Sequence, residues 1–377
     1  MTKIQKDNKN VAKFPNLRFP EFTEEWNREK IASILTIGSG KDYKHLSKGT
    51  IPVFGTGGYM ASVDDFLYEG ESVCIGRKGT INKPLYFNGK FWTVDTLFYT
   101  HSFKNVLPKF VYNIFEQINW LKYNEASGVP SLSKSTIEQI DINIPCVEEQ
   151  QKIATFLSLI DERIQAQNKI IEQLETLIKG LCQNLANNKQ WEKQYLRNIL
   201  TERKETNKDN LPIFSVSVSK GVINQIEYLG RSFASKNTTN YNVVHFGDVV
   251  YTKSPTGEFP YGIIKQSFIS ENVAVSPLYG VYEPKNVCIG NILHYYFNSP
   301  INANNYLHSL VQKGAKNTIN ITNQRFLDNT IFLPTDEKEV ENIASLLNNI
   351  DQKIQTEEAI LTQFENQKKY LLNQMFV

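Results

Sequence analysis

Two stretches of this chain carry helical spacing over about ten turns each, and they constrain everything else the chain can fold into. In the first, residues 145–181, apolar side chains recur every three to four positions, and no glycine or proline intervenes between Pro145 and Gly180. Glu148 and Glu149 lie in the predicted first turn, where the helix dipole favours negative charge. At 1.5 Å per residue the helix is roughly 50 Å long. We expect so long an apolar face to pack against another helix.

The second stretch, residues 334–371, repeats the first at an offset of 190 positions. Ile153-Ala154 corresponds to Ile343-Ala344, and Ile160-Asp161 corresponds to Ile350-Asp351. Self-similarity at a fixed offset is the sequence signature of a duplicated structural unit. The chain therefore supplies its own partner for the first helix.

Heptad positions indicate how the two helices pair. With Ile153 and Ile343 as a positions, each a series contains a single polar residue, Gln167 in the first helix and Glu357 in the second. A polar a residue often fixes the register of a helix pair at some cost in stability. We predict an antiparallel pair that brings Gln167 and Glu357 together near its midpoint. The alternative is a solvated break in an imperfect seam.

Shorter matching segments, in the same order in both halves, extend the repeat to the rest of the chain. The separation between matching segments varies from pair to pair, as insertions in the loops between them would cause. They join Trp26 to Trp191, 51–54 to 211–214, 70–73 to 247–250, and 133–145 to 322–334. Short runs rich in Val, Ile, Tyr and Phe, punctuated by Gly, Pro, Asn and Ser, predict mostly β structure between the helices, with short helices at 108–120 and 289–297.

The predicted fold class is therefore α+β: two pseudo-repeated mixed-β domains joined by two long antiparallel helices in a coiled coil. A polar connector is expected at 182–190. The predicted boundaries are a flexible N-terminal tail at 1–14, a first globular domain at 15–145, a first long helix at 146–185, a second globular domain at 186–333 and a second long helix at 334–377.

Composition and charge narrow the class of protein. Of the 377 residues 41% are hydrophobic and 21% charged, no apolar run reaches the length of a membrane span, and the first residues do not form a signal peptide. Four scattered cysteines without a CxxC pair fit a reducing cytoplasm and argue against a zinc site. The net charge of +2 is uneven: residues 15–145 hold 14 basic and 14 acidic residues, but 186–333 hold 15 basic and 10 acidic. A basic second half permits DNA binding, and charge alone is weak evidence for it.

Motifs for catalysis are missing. Gly38-Ser39-Gly40-Lys41 is similar to a phosphate loop but lacks its spacing, and Asp42 stands where Ser or Thr would hold magnesium. The chain has no NPPY-like or DPPY-like tetrapeptide of an amino-methyltransferase and no Pro-Asp dipeptide of a nuclease site. Its five histidines form no metal-ligand pattern. We expect no catalytic residue and no metal site.

Polar loops that combine glycine with lysine or arginine remain as candidate binding sites. Lysine and arginine can neutralise phosphates, glycine leaves backbone NH groups accessible, and amide or hydroxyl groups can contact base edges. Ordinary solvated turns are the alternative for each loop. The candidate DNA-binding residues are Lys41, Lys44, Lys48, Thr56, Gly57, Tyr59, Arg77, Lys78, Lys253, Ser254, Thr256, Lys313, Lys316 and Asn317.

Several motifs together resemble the specificity subunits of type I restriction–modification systems, over nearly the whole chain. The most specific is Glu149-Gln150-Gln151-Lys152-Ile153-Ala154, which follows a strand-like Ile-Pro end and opens the long helix. The second half departs from the family pattern, since Val340-Glu341-Asn342 replaces the usual helix opening and Lys253-Ser254-Pro255-Thr256-Gly257 replaces a Gly-Arg-Lys-Gly loop. The other motifs of the resemblance are 17–22 with Glu25-Trp26, 52–58 and 76–79.

The resemblance implies a non-catalytic DNA-recognition subunit in the cytoplasm. Each globular domain would be a target-recognition domain for one half of a split site on double-stranded DNA. The helices would set the gap and dock two modification subunits, which bind S-adenosylmethionine; two restriction subunits would use ATP and magnesium. This chain itself would need no cofactor. Arg77 is the best candidate for a base contact, because arginine pairs bidentately with guanine.

Three alternatives stay open. The chain could serve a related fused methylase–nuclease, it could be a coiled-coil scaffold whose globular units bind protein, or it could be an enzyme that binds a nucleotide at 38–41. DNA binding that weakens steeply with salt would exclude the scaffold.

Overall fold

The computed structural model describes residues 14–231, 237–313 and 319–377, and the chain forms two compact units. Unit 1 comprises the described residues up to Gln167 together with Ile360–Val377. Unit 2 comprises the described residues from Asn168 to Ala359. Each unit therefore contains part of both long helices. The predicted tail at 1–14 lies, apart from Phe14, outside the described residues.

Unit 1 is built on a six-stranded sheet in the order β2-β7-β5-β6-β3-β4, beside which β1 pairs with β8. Most neighbouring strands are antiparallel, and only the short β3–β6 contact is parallel. The strands are β1 Asn27–Lys30, β2 Thr36–Ser39, β3 Lys48–Gly55, β4 Gly58–Val63, β5 Tyr68–Gly76, β6 Leu85–Thr93, β7 Leu97–His101 and β8 Asp141–Ile144.

Three helices complete the globular part of unit 1: α1 Ile31–Ile34, α2 Pro108–Gln117 and α3 Lys134–Glu138, with a 3-10 turn at Trp120–Tyr123. The core is large and aromatic. Trp26, Phe110 and Phe115 are almost fully buried, as is Trp120, whose Nε1 donates to the carbonyl of Phe115. The short helix predicted at 108–120 is confirmed, with its regular α part ending at Gln117.

Unit 2 repeats the plan with shorter strands. Its largest sheet has four strands in the order β10-β17-β14-β15, and pairs β11-β12, β13-β16, β18-β19 and β20-β9 surround it. The strands are β9 Glu192–Tyr195, β10 Leu200–Glu202, β11 Phe214–Ser217, β12 Gly221–Asn224, β13 Asn242–Val244, β14 Val249–Thr252, β15 Ile263–Gln266, β16 Val273–Val275, β17 Gly280–Pro284, β18 Gln312–Lys313, β19 Ile319–Asn320 and β20 Thr330–Leu333.

The helices of the globular part of unit 2 are α5 Gln225–Leu229, α6 Val287–Asn298, α7 Pro300–His308 and α8 Asn323–Phe326. Phe326 organises the core: its ring stacks on Tyr251 at 4.7 Å and on Tyr282 at 4.8 Å. Helix α6 confirms the helix predicted at 289–297 and extends it by two residues at the N-terminus and one at the C-terminus.

The two units share a strand order. In unit 1 the strands β2-β7-β5-β6 follow one another across the sheet, and in unit 2 β10-β17-β14-β15 take the same places in chain order. Ser133 caps α3 by accepting from the NH of Thr136, and Thr322 caps α8 by accepting from the NH of Arg325. In both units the capped helix leads into a strand, which pairs with the first strand of the unit, and then into a long helix. The duplication predicted from sequence is thus a duplication of topology.

The long helices are α4, Val147–Asn187, and α9, Glu337–Met375. In unit 1, Asp161 of α4 pairs with Lys368 of α9, while Arg163 lies over the ring of the earlier residue Phe364. A step towards the C-terminus of α4, from Asp161 to Arg163, is therefore matched by a step towards the N-terminus of α9, from Lys368 to Phe364. These two segments run antiparallel. No helix among the described residues is both long enough and apolar enough to cross a bilayer.

The connector predicted at 182–190 is wrong for its first six residues. Helix α4 continues to Asn187, because Cys182 and Leu185 are buried in the core of unit 2 beside Ala344 and Leu347. Asparagine-rich composition suggested a loop, but burial of one apolar face outweighs weak local propensity.

The N-terminal motif docks on the start of α4 within unit 1. Arg18 donates both Nε and Nη2 to the carboxylate of Glu149, each at 2.7 Å, and Glu149 is fully buried. Gln150 is also buried; its side chain donates to the carbonyls of Asn105 and Pro145 and accepts from the NH of Leu107. These residues form a joint between the globular part and the helix, which explains why the two motifs occur together.

The two polar a residues are both buried. Gln167 is 7% exposed and Glu357 is 6% exposed. Glu357 also pairs with Lys353 one turn earlier on α9. Because both side chains are buried, neither position is a solvated break in the apolar face of its helix. Gln167 belongs to unit 1 and Glu357 to unit 2, and their mutual contact stays a prediction.

Candidate nucleic-acid interface

The glycine loop at 38–41 does not have the geometry of a phosphate loop. Gly38 belongs to β2, and a side chain there would collide with the ring of Tyr99 at 2.2 Å. The NH of Gly40 donates to Leu97 and that of Lys41 to Thr93. Because the sheet already uses these donors and the glycines are required for close packing, the segment offers no cradle for a phosphate.

Three of the predicted loops meet in unit 1. The NH groups of Arg77 and Lys78 both donate to the carbonyl of Thr96, at 2.7 and 3.3 Å. Thr56 lies in the β3–β4 turn, and its Oγ1 is 3.4 Å from where a Cβ of Gly79 would be. A cleft of about 740 Å³ lies between the loops, lined among others by Lys44, Thr56, Gly57, Tyr59 and Thr96.

The exposed side chains of this cleft suit contact with a polyanion. Lys44 and Tyr59 are exposed, and Tyr59 presents 63% of its surface; Lys41 is also exposed and precedes the lining residue Asp42. The acidic residues Asp42 and Asp95 also line the cleft, so its charge is mixed. Lys48 is exposed too, but it begins β3 beside Val63, at the opposite end of that strand from the turn with Thr56. The structure therefore groups Lys44 with Thr56 and Tyr59, and places Lys48 elsewhere.

A second cleft, of about 540 Å³, lies on the other side of the Arg77 loop. Arg77 and Lys78 are exposed; they line this cleft together with Lys134, and the guanidinium of Arg77 lies 5.8 Å from the ring centroid of Phe98. Glu125 is the acidic residue of the lining. Hydrogen bonds from Thr136 and Ser133 lower the pKa of its carboxyl group. Three basic residues and one carboxylate therefore line this cleft.

The wall of this second cleft is not among the loops predicted from the sequence. Residues 124–133 form a loop that is fixed to the Arg77 loop: the NH of Gly79 donates to Pro130, and the NH of Leu132 donates to Arg77. Asn124 holds the loop in shape through its Oδ1, which accepts from the NH groups of Ala126 and Ser131. Lys134 was overlooked because it stands alone in sequence, next to a serine cap and not in a glycine loop. The Ser-Gly-Val-Pro run at 127–130 was the one available signal.

In unit 2 the predicted loop residues Ser254 and Thr256 are exposed in a turn closed by Thr256 and Phe259. Lys253 is half-buried. Its partial burial lowers the pKa of its ammonium, and the charge of Glu202 opposes that shift. Of the remaining predicted residues, the side chain of Lys313 is not among those described, and Lys316 and Asn317 lie outside the described residues.

The topology resolves which basic residue of unit 2 corresponds to Arg77. Arg77 comes directly after β5, and Lys253 comes directly after β14. The strands β5 and β14 occupy the same place in the repeated strand order. In the sequence alone, insertions between the repeated segments obscure the correspondence between Arg77 and Lys253.

Nothing in the described residues has the arrangement of a metal centre: no group of three or more His, Cys, Asp or Glu side chains could hold an ion. The four cysteines are free thiols. Burial raises the pKa of Cys74 and of Cys182 to about 12, which disfavours the reactive thiolate.

Comparison with known proteins identifies the class. Residues 23–176 match the family described as the type I restriction modification DNA specificity domain. The matched region covers the globular part of unit 1 and most of α4.

Two named relatives agree with this match. The MjaIX type I restriction enzyme specificity subunit of Methanocaldococcus jannaschii is 35% identical over 92 residues, which are 22% of this chain and 21% of that protein. The EcoprrI type I specificity subunit of Escherichia coli is 22% identical over 156 residues, 38% of each. The chain thus spans about a fifth to two fifths of the length of these curated relatives.

A solved structure shares the fold over almost the whole length. The crystal structure of the type I restriction–modification system S subunit from M. genitalium matches with a TM-score of 0.64 at 14% identity, covering 97% of this chain and 99% of that one. At this identity the likeness concerns the fold. The family match over residues 23–176 and the two named relatives confirm the resemblance to type I specificity subunits predicted from the sequence.

Proposed function

We propose that this chain is the DNA-specificity subunit of a type I restriction–modification complex, with one recognition face on each unit. The observation that carries the proposal is the repeated topology, which puts Arg77 and Lys253 in the same position beside exposed polar loops. Two copies of one recognition plan suit a DNA site in two unequal halves, because sequence differences between the loops would select different bases.

The long helices would form the antiparallel coiled coil of the predicted fold and set the gap between the half-sites. A helix pair of roughly 50 Å is long enough to hold two recognition faces about one turn of duplex (~34 Å) or slightly more apart. The helices would also dock two modification subunits. Exposed apolar side chains on α4, such as Leu159 at 53% and Leu177 at 48%, supply surface for such contacts.

The chain would carry out no chemistry itself. S-adenosylmethionine would bind to the modification subunits, and ATP with magnesium would bind to two restriction subunits. The place of work would be the cytoplasm, where the free cysteines stay reduced. A specificity subunit for a fused methylase–nuclease is the nearest alternative, and the partner gene distinguishes the two.

Methylome sequencing tests the proposal. The chain is expressed with its cognate modification subunit in a host without DNA methylation, and methyladenine is mapped across the genome. We expect one gapped, two-part motif methylated on both strands. A continuous motif, or no methylation from a complex shown to assemble, would contradict the proposal and favour the protein-binding scaffold.

A further inference from the structure

A buried lysine in unit 1 joins the globular part to both long helices. Lys368 of α9 is 9% exposed, and its Nζ lies 2.6 Å from Oδ1 of Asp161 on α4. The same Nζ lies 2.6 Å from Oε2 of Glu116 on α2. One ammonium therefore bridges three helices. We call Lys368, Asp161 and Glu116 the unit 1 hub.

The surroundings of this hub orient its charges. The hydroxyl of Tyr112 donates to Oε1 of Glu116 at 3.0 Å, and the ring centroid of Tyr112 is 5.4 Å from Nζ of Lys368. Burial raises the pKa of Glu116, and the Lys368 ammonium opposes that shift. Two partly buried carboxylates around one ammonium keep their charges only while all three groups stay in place.

Unit 2 contains a counterpart that uses a different lysine. Asp351 is the residue that corresponds to Asp161 in the 190-residue repeat. Asp351 and Lys265 line the same cavity and influence each other through their charges. Lys265 comes from strand β15, is 4% exposed and donates from Nζ to Oδ1 of Asn298 at 2.5 Å. Asn298 ends α6, the helix that takes the place of α2 in the repeated topology. We call Lys265, Asp351 and Asn298 the unit 2 hub.

Both hubs contain the repeated long-helix aspartate, Asp161 or Asp351, but the lysine comes from a different element in each hub. In unit 1 the lysine comes from the opposite long helix, and in unit 2 it comes from the sheet. Shared ancestry alone would leave the lysine at one equivalent position. The common element is a buried ammonium that contacts the helix following the last strand of the sheet and acts through its charge on the long-helix aspartate.

We propose that Lys368 and Lys265 are positioning residues that hold each recognition part at a fixed angle on its helix segments and thereby determine how strictly the complex selects the gap length. This inference rests on the proposed function. A buried ammonium held by directional partners, two carboxylates in unit 1 and the Asn298 amide in unit 2, restrains rotation as well as distance, whereas apolar packing tolerates small rotations. No hub residue lines either cleft of the Arg77 loop, and Lys265 pairs within the sheet with Val250, ahead of the Lys253 loop. We therefore expect loss of the hubs to leave the base preferences of both half-sites unchanged.

The test is a methylation assay on duplexes that carry both half-sites with the native gap or a gap one base pair longer or shorter. One base pair changes the separation by about 3.4 Å and rotates one half-site by roughly 35°. The complex of this chain with its modification subunit is compared for the wild type, Lys368→Met, Asp161→Asn and Lys265→Met. Lys369→Met and Lys338→Met, at exposed positions of α9, are the matched controls.

We expect the hub variants to methylate the native gap roughly ten- to a hundredfold more slowly, as small misplacements do, and to lose most of their preference over the altered gaps. Discrimination against single base changes within a half-site should stay as in the wild type, and the controls should behave as the wild type. If Lys368→Met does not fold, Asp161→Asn decides, because it keeps an acceptor oxygen and loses only the charge.

The outcomes separate the two proposals. A wild-type complex without a gapped target overturns the proposed function, and this inference falls with it. A wild type with a gapped target and folded hub variants that keep full gap selectivity overturns only the positioning role. Loss of base discrimination in the hub variants would also overturn it, since the residues would then act on the recognition face.

Discussion

At the scale of single residues, burial determines the charge state of titratable side chains. His294 of α6 accepts a hydrogen bond at Nδ1 from the NH of Gln266 at 3.1 Å. Burial lowers the pKa of its imidazole to about 3, and the nearby charge of Lys265 adds to the effect. The neutral ring is therefore the form that unit 2 accommodates.

This histidine should make unit 2 sensitive to acid. The folded-state pKa is below the unfolded value of 6.5, so the unfolded chain binds the extra proton first, and stability is lost as the pH falls below 6.5. Between pH 7 and pH 5 we expect His294 to account for a loss of about 1 to 2 kcal/mol. Denaturant unfolding at a series of pH values measures it. His294→Asn, which retains an acceptor, should flatten this slope; an unchanged slope would contradict the assignment.

At the scale of elements, the joints between globular parts and helices are polar and specific. The joint of unit 1 consists of Arg18, Glu149 and Gln150. The first turn of α4 is fixed by the side chain of Arg18 and by backbone groups of the segment 105–107. The corresponding opening of α9 lacks this motif. There Trp191 donates from Nε1 to Glu339 at 2.9 Å, so a different pair joins the first segment of unit 2 to its helix.

Breaking the Arg18–Glu149 pair should be strongly destabilising. The side chain of Arg18 is 13% exposed and that of Glu149 is 1% exposed, so Arg18→Met leaves a buried carboxylate without its partner. We expect a loss of about 3 to 5 kcal/mol in the free energy of unfolding. The double variant Arg18→Met with Glu149→Gln should recover part of it.

An exposed ion pair in the same unit provides the control for this prediction. Arg28 and Asp141 are 2.7 Å apart, with side chains 68% and 39% exposed. Arg28→Met should cost no more than about 1 kcal/mol, since solvent screens such pairs. Equal losses for Arg18→Met and Arg28→Met in chemical denaturation would show that burial is not the deciding factor.

At the scale of the whole molecule, the duplication predicts that the two proposed recognition faces can be altered separately by mutation. Arg77→Ala should relax one base position in a single half-site, at a cost of about 1 to 3 kcal/mol in discrimination, because a bidentate base contact is lost. The half-site assigned to unit 2 should keep its sequence. Methylome sequencing of the variant measures both halves in one experiment.

Lys44, a proposed phosphate contact, gives the matched control. Lys44→Gln should weaken binding to all sequences alike and reduce the salt dependence by about one phosphate, without relaxing any base position. An Arg77→Ala motif identical to the wild-type motif would show that Arg77 does not contact a base.

Local patterns predicted much of this architecture. The helix spacing at 145–181 and its echo at 334–371 located α4 and α9 to within a few residues, and the offsets between motifs identified the duplication. The loops around Thr56 and Arg77 were found because glycine and basic residues lie together in sequence. Lys134 and the loop at 124–133 were not, because they reach Arg77 only through hydrogen bonds between segments far apart in the chain.

The sequence by itself therefore determined the helices, the repeat and the family resemblance, since periodicity and motif spacing are properties of neighbouring residues. The tertiary structure decided which charged side chains are buried and which distant segments they contact. Nothing in their neighbouring residues marks Lys265 and Lys368 as different from the exposed lysines of the chain. Their roles follow from the strands and helices that pack around them, because burial and ion pairing depend on which distant segments come together.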